Sequence, residues 1–225
     1  MNDKLPIIAI DGPAGVGKTS VSRALAEALG FYFFSSGLIY RVIAWRLIEA
    51  GWRPGLDIQE EKLGELNLSI GADGGVILEG QSVVADLHAE EISTGASVAS
   101  TVPAVRELSN RVQRETVARI IAEKTFPGVI LEGRDIGTVV FPEARHKIFL
   151  TASEEVRAQR RFLERKDTPG SEEQSTVQAA IRERDQRDAN RDVAPLKPAE
   201  DAMEIDTGPL SLEEVVASIL TYVRS

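Results

Sequence analysis

The residues with the clearest chemical potential are 12–19, which read Gly-Pro-Ala-Gly-Val-Gly-Lys-Thr. They complete a G-x-x-x-x-G-K-[ST] pattern between an apolar run at 5–10 and an amphipathic stretch at 19–29. The glycines allow consecutive backbone N–H groups to face one anion, Lys18 adds positive charge, and the Thr19 hydroxyl can reach Mg²⁺. We therefore predict a P-loop that binds a nucleoside triphosphate.

A second candidate is the run Ser-Ser-Gly-Leu-Ile-Tyr-Arg at 35–41, which follows an apolar run at 31–34. It places two hydroxyls and a glycine at a helix start, with Arg41 on the first turn. Two interpretations stay open, a second anion site and a plain serine N-cap.

A third candidate is Glu-Gly-Arg-Asp-Ile-Gly at 132–137, directly after the apolar run 129–132. Open α/β sheets form their ligand crevice at the carboxyl ends of such strands. The alternative is a surface turn whose Arg134 and Asp135 satisfy each other.

The fourth candidate is the set Arg184, Arg187, Asp188 and Arg191, at spacing i, i+3, i+4 and i+7. One helical face would carry three guanidiniums and one carboxylate. Such a face is either a solvated ion-pair surface or the neutralising side of an anion site.

Apolar, β-rich runs alternate with helical patterns along most of the chain. Strand-like runs lie at 7–11, 31–34, 129–132, 147–150 and 203–206, and helical patterns at 18–29, 38–50, 103–123, 154–166, 173–190 and 211–223. The alternation predicts an α/β fold with a five-stranded parallel sheet and helices on both faces. Residues 55–101 break the rhythm and predict a small antiparallel insertion, while 166–173 predict a mobile surface loop.

Composition restricts the classes of protein to consider. The 225 residues, 43% hydrophobic and 27% charged, fit one globular domain, and neither a membrane span nor a signal peptide is recognisable. With no cysteine and two histidines, a disulfide framework or a thiolate or histidine metal site is not expected. The net charge of −9 argues against nucleic acid and acidic membranes as partners. We expect a cytoplasmic monomer that acts on small molecules.

The motifs together resemble the bacterial cytidylate kinases, a branch of the nucleoside monophosphate kinases, over nearly the whole chain. The matching segments are 12–19, 36–41, 97–99, 103–106, 133–142 and 184–191, followed by Ala-Pro-Leu at 194–196. The resemblance implies a P-loop kinase fold in a single domain, 1–225. It also implies an inserted monophosphate-binding subdomain near 37–101 and a short lid near 157–173.

The resemblance further implies transfer of the γ-phosphoryl group from ATP to CMP or dCMP, with Mg²⁺ as cofactor and Thr19 as the metal-binding residue. The ATP-binding residues would be Gly12, Pro13, Ala14, Gly15, Val16, Gly17, Lys18, Thr19 and Ser20, with Arg157, Arg160 and Arg161 beside the lid. The nucleotide-binding residues would be Ser36, Tyr40, Arg41, Ser97, Arg106, Arg134, Asp135, Arg184, Asp188 and Arg191. Lys18, Arg134, Arg184 and Arg191 would be catalytic, while Ser97, Arg106 and Asp135 would read the cytosine base.

Two positions depart from the family pattern, since Ser35 and Glu132 stand where Asp is common. Both lie at strand ends, where they bear on metal binding and rate. A regulatory GTPase is not favoured, because the chain has no Asn-Lys-x-Asp. Two alternatives stay open: another small-molecule kinase of the same fold, for example one acting on shikimate, and a nucleotide-binding regulatory protein without catalysis.

Overall fold

The computed structural model describes residues 7–64, 66–83, 87–165 and 173–225, although the side chain of residue 165 lies outside this description. Its strands are β1 (Ile7–Asp11), β2 (Tyr32–Ser35), β3 (Leu68–Ile70), β4 (Val76–Leu78), β5 (Gln81–Ser82), β6 (Val129–Gly133), β7 (His146–Thr151) and β8 (Met203–Asp206). Its helices are α1 (Lys18–Leu29), α2 (Ser36–Glu49), α3 (Glu60–Gly64), α4 (Glu90–Ala99), α5 (Pro103–Glu123), α6 (Glu154–Arg165), α7 (Gln174–Asn190) and α8 (Leu212–Arg224). One π-helical turn spans Ile136–Val140.

The main sheet has five strands in the order β2-β6-β1-β7-β8, all parallel. All residues of β1 are buried and alternate between two cores. Ile7 and Ala9 join the cluster that includes residues of α2 and α5, and Ile8 and Ile10 join the cluster that includes residues of α1 and α8. The prediction of a five-stranded parallel sheet covered on both faces is confirmed.

The predicted antiparallel insertion is also present, as the three-stranded sheet β3-β4-β5. Its first hairpin docks on the edge strand β2 of the main sheet. Gly74 has φ +80, and a Cβ there would lie 2.4 Å from the Phe33 carbonyl oxygen, so only glycine permits this approach. Tyr32 of β2 donates a hydrogen bond to the Gly71 carbonyl. The insertion also contains helices α3 and α4, which the sequence patterns did not predict.

The predicted lid, near 157–173, is only partly described. Its first residues continue helix α6, and residues 166–172, most of the predicted mobile loop, lie outside the described residues. Helices α6 and α7 pack on each other through a separate small cluster of Ala158, Val177 and Ile181. The arginine-bearing segments on either side of the loop therefore form one helical pair.

Candidate active site

Three of the four candidate motifs meet because three strand ends are neighbours. The P-loop follows β1, the serine motif begins at the end of β2, and Arg134 and Asp135 follow β6, while β6 lies between β1 and β2. Strand register aligns Ser35 with Glu132, and Asp11 with Gly133. Parallel strands place their carboxyl ends on one edge, so the three motifs line a common crevice.

The P-loop is shaped by glycine and closed by its own lysine. A Cβ on Gly12 would lie 2.3 Å from the Leu150 carbonyl oxygen, and Gly17, the N-cap of α1, has φ +88. Lys18 is buried, and its Nζ donates hydrogen bonds to the carbonyls of Gly12 at 2.8 Å and Pro13 at 2.6 Å. Burial, and next the nearby charge of Arg134, hold the pKa of Lys18 well below its usual value.

The Thr19 hydroxyl donates a 2.8 Å hydrogen bond to Oε1 of Glu132, at the end of β6. Glu132 is buried, and among the described residues its Oε2 has no hydrogen-bond partner. The departure from Asp to Glu therefore places a carboxylate directly against the P-loop threonine. A hydroxyl and a carboxylate with one free oxygen fit the oxygen ligands that Mg²⁺ takes beside nucleotide phosphates.

A cluster of arginines surrounds the buried carboxylate of Asp188. Arg134 Nε donates to Asp188 Oδ2 at 2.9 Å, and Arg191 Nη1 lies 4.0 Å from Oδ1. Burial raises the pKa of Asp188, but Arg134, Arg184 and Arg191 together bring it below its usual value. Burial, and then Arg134, lower the pKa of Arg184 to about 10. Cations thus outnumber the carboxylate they surround, which is the electrostatic condition for an anion site.

Helix α7 ends at Asn190 and Arg191 follows it with extended backbone, so the predicted helical face does not include Arg191. The side chains of this segment divide between an inner and an outer face. The side chains of Asp188 and Arg191 are each 4% exposed, whereas Arg182 is 60% exposed and Glu183 is 72% exposed. The solvated-surface interpretation is therefore wrong for Asp188 and Arg191. The buried Nε of Arg184 and Nη2 of Arg191 have no hydrogen-bond partner among the described residues.

Arg106 and Asp135 form a buried ion pair beside this cluster. Arg106 also donates to the Ser100 carbonyl at 3.3 Å, and Arg191 Nη2 lies 3.8 Å from Asp135 Oδ1. Burial raises the pKa of Asp135, opposed by the charges of Arg106 and Arg191. The surface-turn interpretation is wrong, because Asp135 is paired with a residue of α5 and not with Arg134.

The serine motif does not form a side-chain N-cap, which was one of its two open interpretations. Ser36 donates a 2.8 Å hydrogen bond to the Glu132 carbonyl, and Ser35, the N-cap of α2, makes no side-chain capping bond. Arg41 donates to Ser93 Oγ at 2.8 Å and to the Leu87 carbonyl, tying α2 to the α4 region. Tyr40 is close to Ser109, and burial raises its pKa.

The three arginines near the lid differ in their contacts. Arg157 donates to the Ala14 carbonyl of the P-loop at 3.2 Å and forms an ion pair with Asp185. Arg160 donates to Thr207, and Arg161 to Glu164 of its own helix. The sequence does not distinguish which of the three contacts the P-loop, and in the structure Arg157 makes that contact directly.

Comparison with known proteins shows which family this chain belongs to. Residues 8–225 match the family model described as cytidylate kinase. The cytidylate kinase of Pseudomonas aeruginosa (strain UCBPP-PA14) is 41% identical over 232 residues, 99% of this chain and 96% of that protein. That of Shewanella denitrificans (strain OS217) is 41% identical over 237 residues, 100% of this chain and 99% of that protein. The chain belongs to the cytidylate kinase family.

A solved structure supports the fold alone. The uncharacterized protein from Eubacterium ventriosum ATCC 27560 aligns with a TM-score of 0.54 at 14% identity, covering 99% of both chains. The parallel sheet, the P-loop after β1 and this family membership identify a P-loop kinase fold.

The hydrogen bonds draw attention to Asp11, which no motif included, and to Arg187, which belongs to the fourth motif but received no site role from the sequence. Asp11 accepts hydrogen bonds from the backbone N–H groups of Ile136 at 2.9 Å and Gly137 at 2.8 Å. Arg187 Nη1 donates to Ser97 Oγ at 2.7 Å. The signal available for Asp11 was an acidic residue ending an apolar strand, directly before the P-loop.

Proposed function

We propose that this member of the cytidylate kinase family transfers the γ-phosphoryl group of ATP to CMP or dCMP, giving ADP and CDP or dCDP. The observation that carries the proposal is the continuity of the site. Lys18 of the P-loop lies within the electrostatic reach of Arg134, which bonds Asp188, and Arg191 extends from Asp188 to the buried Arg106–Asp135 pair. These contacts support one crevice that accommodates a triphosphate, an acceptor phosphate and a base.

The arginines are proposed to bind the acceptor phosphate and to neutralise charge on the transferring group. Phosphoryl transfer depends on alignment and electrostatic stabilisation, because charge spreads over the equatorial oxygens. Arg134, Arg184 and Arg191 supply that charge, and Lys18 exchanges its two carbonyl partners for phosphate oxygens. The acceptor is already an anion, so the reaction needs no general base.

The Arg106–Asp135 pair is proposed to select cytosine. Cytosine presents an N4 amino donor beside the N3 and O2 acceptors, which a carboxylate and a guanidinium pair respectively. Uracil would oppose its O4 acceptor to the carboxylate. Each polar contact that is left unmade in a buried site costs about 1–3 kcal/mol, which favours CMP over UMP.

Thr19 and Glu132 are proposed to hold Mg²⁺ with its coordinated waters. When bound with ATP, the ion would supply positive charge that neutralises the phosphates during transfer. Among the described residues, the buried Oε2 of Glu132 has no hydrogen-bond partner. This supports the assignment, because a buried carboxylate oxygen is normally paired with a hydrogen-bond donor or a cation.

We further propose that the protein acts as a monomer in the cytoplasm, in pyrimidine nucleotide metabolism, with small nucleotides and not nucleic acid as partners. The net charge of −9 supports this choice of partners. Within the described ranges, no helix combines the length and apolar character needed to cross a membrane.

A coupled ADP-release assay with Mg-ATP tests the proposed function across CMP, dCMP, UMP, AMP and shikimate. We expect turnover with CMP and dCMP and at least tenfold lower kcat/KM with UMP, for the loss of a polar contact. Lys18→Ala should stay folded, since glycine shapes the loop, and lose on the order of 10² or more in kcat. Equal turnover of UMP or AMP would refute the base selection, and preference for shikimate or ATP binding without transfer would favour one of the alternatives.

A further inference from the structure

Arg187 connects two segments that are far apart in sequence. It lies on α7 between Arg184 and Arg191, and its Nη1 donates a 2.7 Å hydrogen bond to the hydroxyl of Ser97 on α4. Ser97 is buried, and α4 belongs to the inserted part of the chain. Helix α7, which carries Arg184 and leads directly into Arg191, therefore touches a proposed base-reading side chain.

The chemistry of this bond restricts how Ser97 can act. A guanidinium carries only donors, so Arg187 must occupy a lone pair of Ser97 Oγ. The hydroxyl proton must then point away from Arg187, which leaves it available to another partner. A hydrogen bond from a charged donor is stronger than one between neutral groups, so it also fixes the rotamer of the serine.

Arg187 is itself held in place, and α4 is held on the same face by a second arginine. Glu183, one turn earlier on α7, accepts a hydrogen bond from the other terminal nitrogen of Arg187. Arg41 of α2 donates to Ser93 at 2.8 Å, and Ser93 precedes Ser97 by one helical turn. The polar face of α4 is thus fastened from α2 and from α7.

We propose that Arg187 is a positioning residue for base selection, which acts by holding Ser97 and helix α4 against the base site. The inference rests on the proposed function, because it takes Ser97 as a reader of cytosine. Arg187 makes the arrangement of the base site depend on helix α7, which leads directly into Arg191, a residue proposed to bind the acceptor phosphate. Its loss should weaken discrimination between bases and affect KM for CMP more than kcat.

Arg187→Met removes the charge and donors while keeping a long side chain. We expect the ratio of kcat/KM for CMP to that for UMP to fall by about tenfold, mainly through KM for CMP. Ser97→Ala should lower this ratio by a similar factor. In the double variant the ratio should fall by no more than about twofold further, because both substitutions remove the same Arg187–Ser97 hydrogen bond. Arg187→Lys, which keeps a charged donor group but not the guanidinium fork, should give an intermediate ratio. The matched control is Arg182→Met, an exposed α7 arginine that pairs with Glu154 and should leave the ratio unchanged.

The proposal is overturned if Arg187→Met leaves the ratio unchanged, if it lowers kcat/KM for CMP and UMP equally, or if its effect and that of Ser97→Ala multiply independently. Circular dichroism and the melting temperature verify folding, and if Arg187→Met does not fold, the same comparison applies to Arg187→Lys and Arg187→Gln. Failure of the wild-type protein to phosphorylate CMP would instead refute the proposed function, so the two failures are distinguishable.

Discussion

At the scale of single residues, one buried carboxylate connects the P-loop strand to the turn that follows Arg134 and Asp135. Asp11 is the last residue of β1, directly before the P-loop, and its two oxygens accept the N–H groups of Ile136 and Gly137. At the other end of this π-helical turn, Arg114 of α5 donates to the carbonyls of Val139 and Val140. The turn that follows Arg134 and Asp135 is thus fixed from both ends, and one of its anchors belongs to the triphosphate side.

Asp11 should give stability a measurable pH dependence. Burial raises its pKa from 3.8 to about 6, so between these values the folded chain binds a proton that the unfolded chain does not. Stability is therefore lost as pH rises through this window. From pH 7 to pH 5, the unfolding free energy of the wild type relative to Asp11→Asn should rise by about 1–2 kcal/mol.

Urea unfolding at pH 5, 6 and 7 measures this difference. The matched control is Asp57→Asn, at an exposed carboxylate, which should show no such trend relative to the wild type. A difference between wild type and Asp11→Asn that stays constant over this range would contradict the argument.

Sequence spacing predicted which residue types would meet, but not every partner. The motif segments named Lys18, Arg134 and Arg191, because each stands at a fixed offset within its own strand–helix unit. The pairs 11 with 136, 19 with 132 and 97 with 187 join separate units. A local sequence pattern does not indicate which distant residue a side chain will contact, so these pairs could be identified only from the structure.

At the scale of elements, periodicity predicted the five main strands and six of the helices, with ends that differ from the structure by at most two residues. Helix α4 was missed because serine, threonine and glycine are weak helix formers. The packing of α4 against α2 compensates for this low helix propensity. A Cβ on Gly95 would lie 3.1 Å from Ile48 Cδ1 and 3.4 Å from Trp52, so the glycine allows α4 to approach α2 closely. Tertiary contact, not local propensity, makes this segment helical.

Helix α8 was predicted from the sequence, and its N-terminal cap can be tested by substitution. Ser211 Oγ accepts the Glu214 N–H at 3.2 Å, and the Glu214 carboxylate accepts the Ser211 N–H at 2.8 Å, forming a capping box. Ser211→Ala should lower the unfolding free energy by about 1 kcal/mol and leave kcat and KM for CMP unchanged. Ser218→Ala, inside the same helix, should change stability by less than about 0.5 kcal/mol. Equal losses in the two variants would contradict the capping argument.

At the scale of the whole molecule, charge is distributed unevenly. The chain carries a net charge of −9, yet Arg134, Arg184 and Arg191 surround the carboxylate of Asp188, and Lys18 lies within electrostatic reach of Arg134 and Arg184. Burial, and then the positive charge of Arg134, lower the pKa of both Lys18 and Arg184, as expected where cations lie close together. Repulsion between these cations destabilises the folded protein, and a bound phosphate would reduce it.

CMP should consequently raise the melting temperature, and its phosphate should account for most of the rise. At 100 times Kd, a ligand specific for the folded state adds about 2.7 kcal/mol. For a chain of this size, that corresponds to a rise of about 5–10 °C. Cytidine at the same concentration lacks the phosphate and should give a much smaller rise, as should CMP with Arg134→Met. Differential scanning fluorimetry at fixed ionic strength measures all three, and a cytidine shift equal to the CMP shift would contradict the placement of the acceptor phosphate among these arginines.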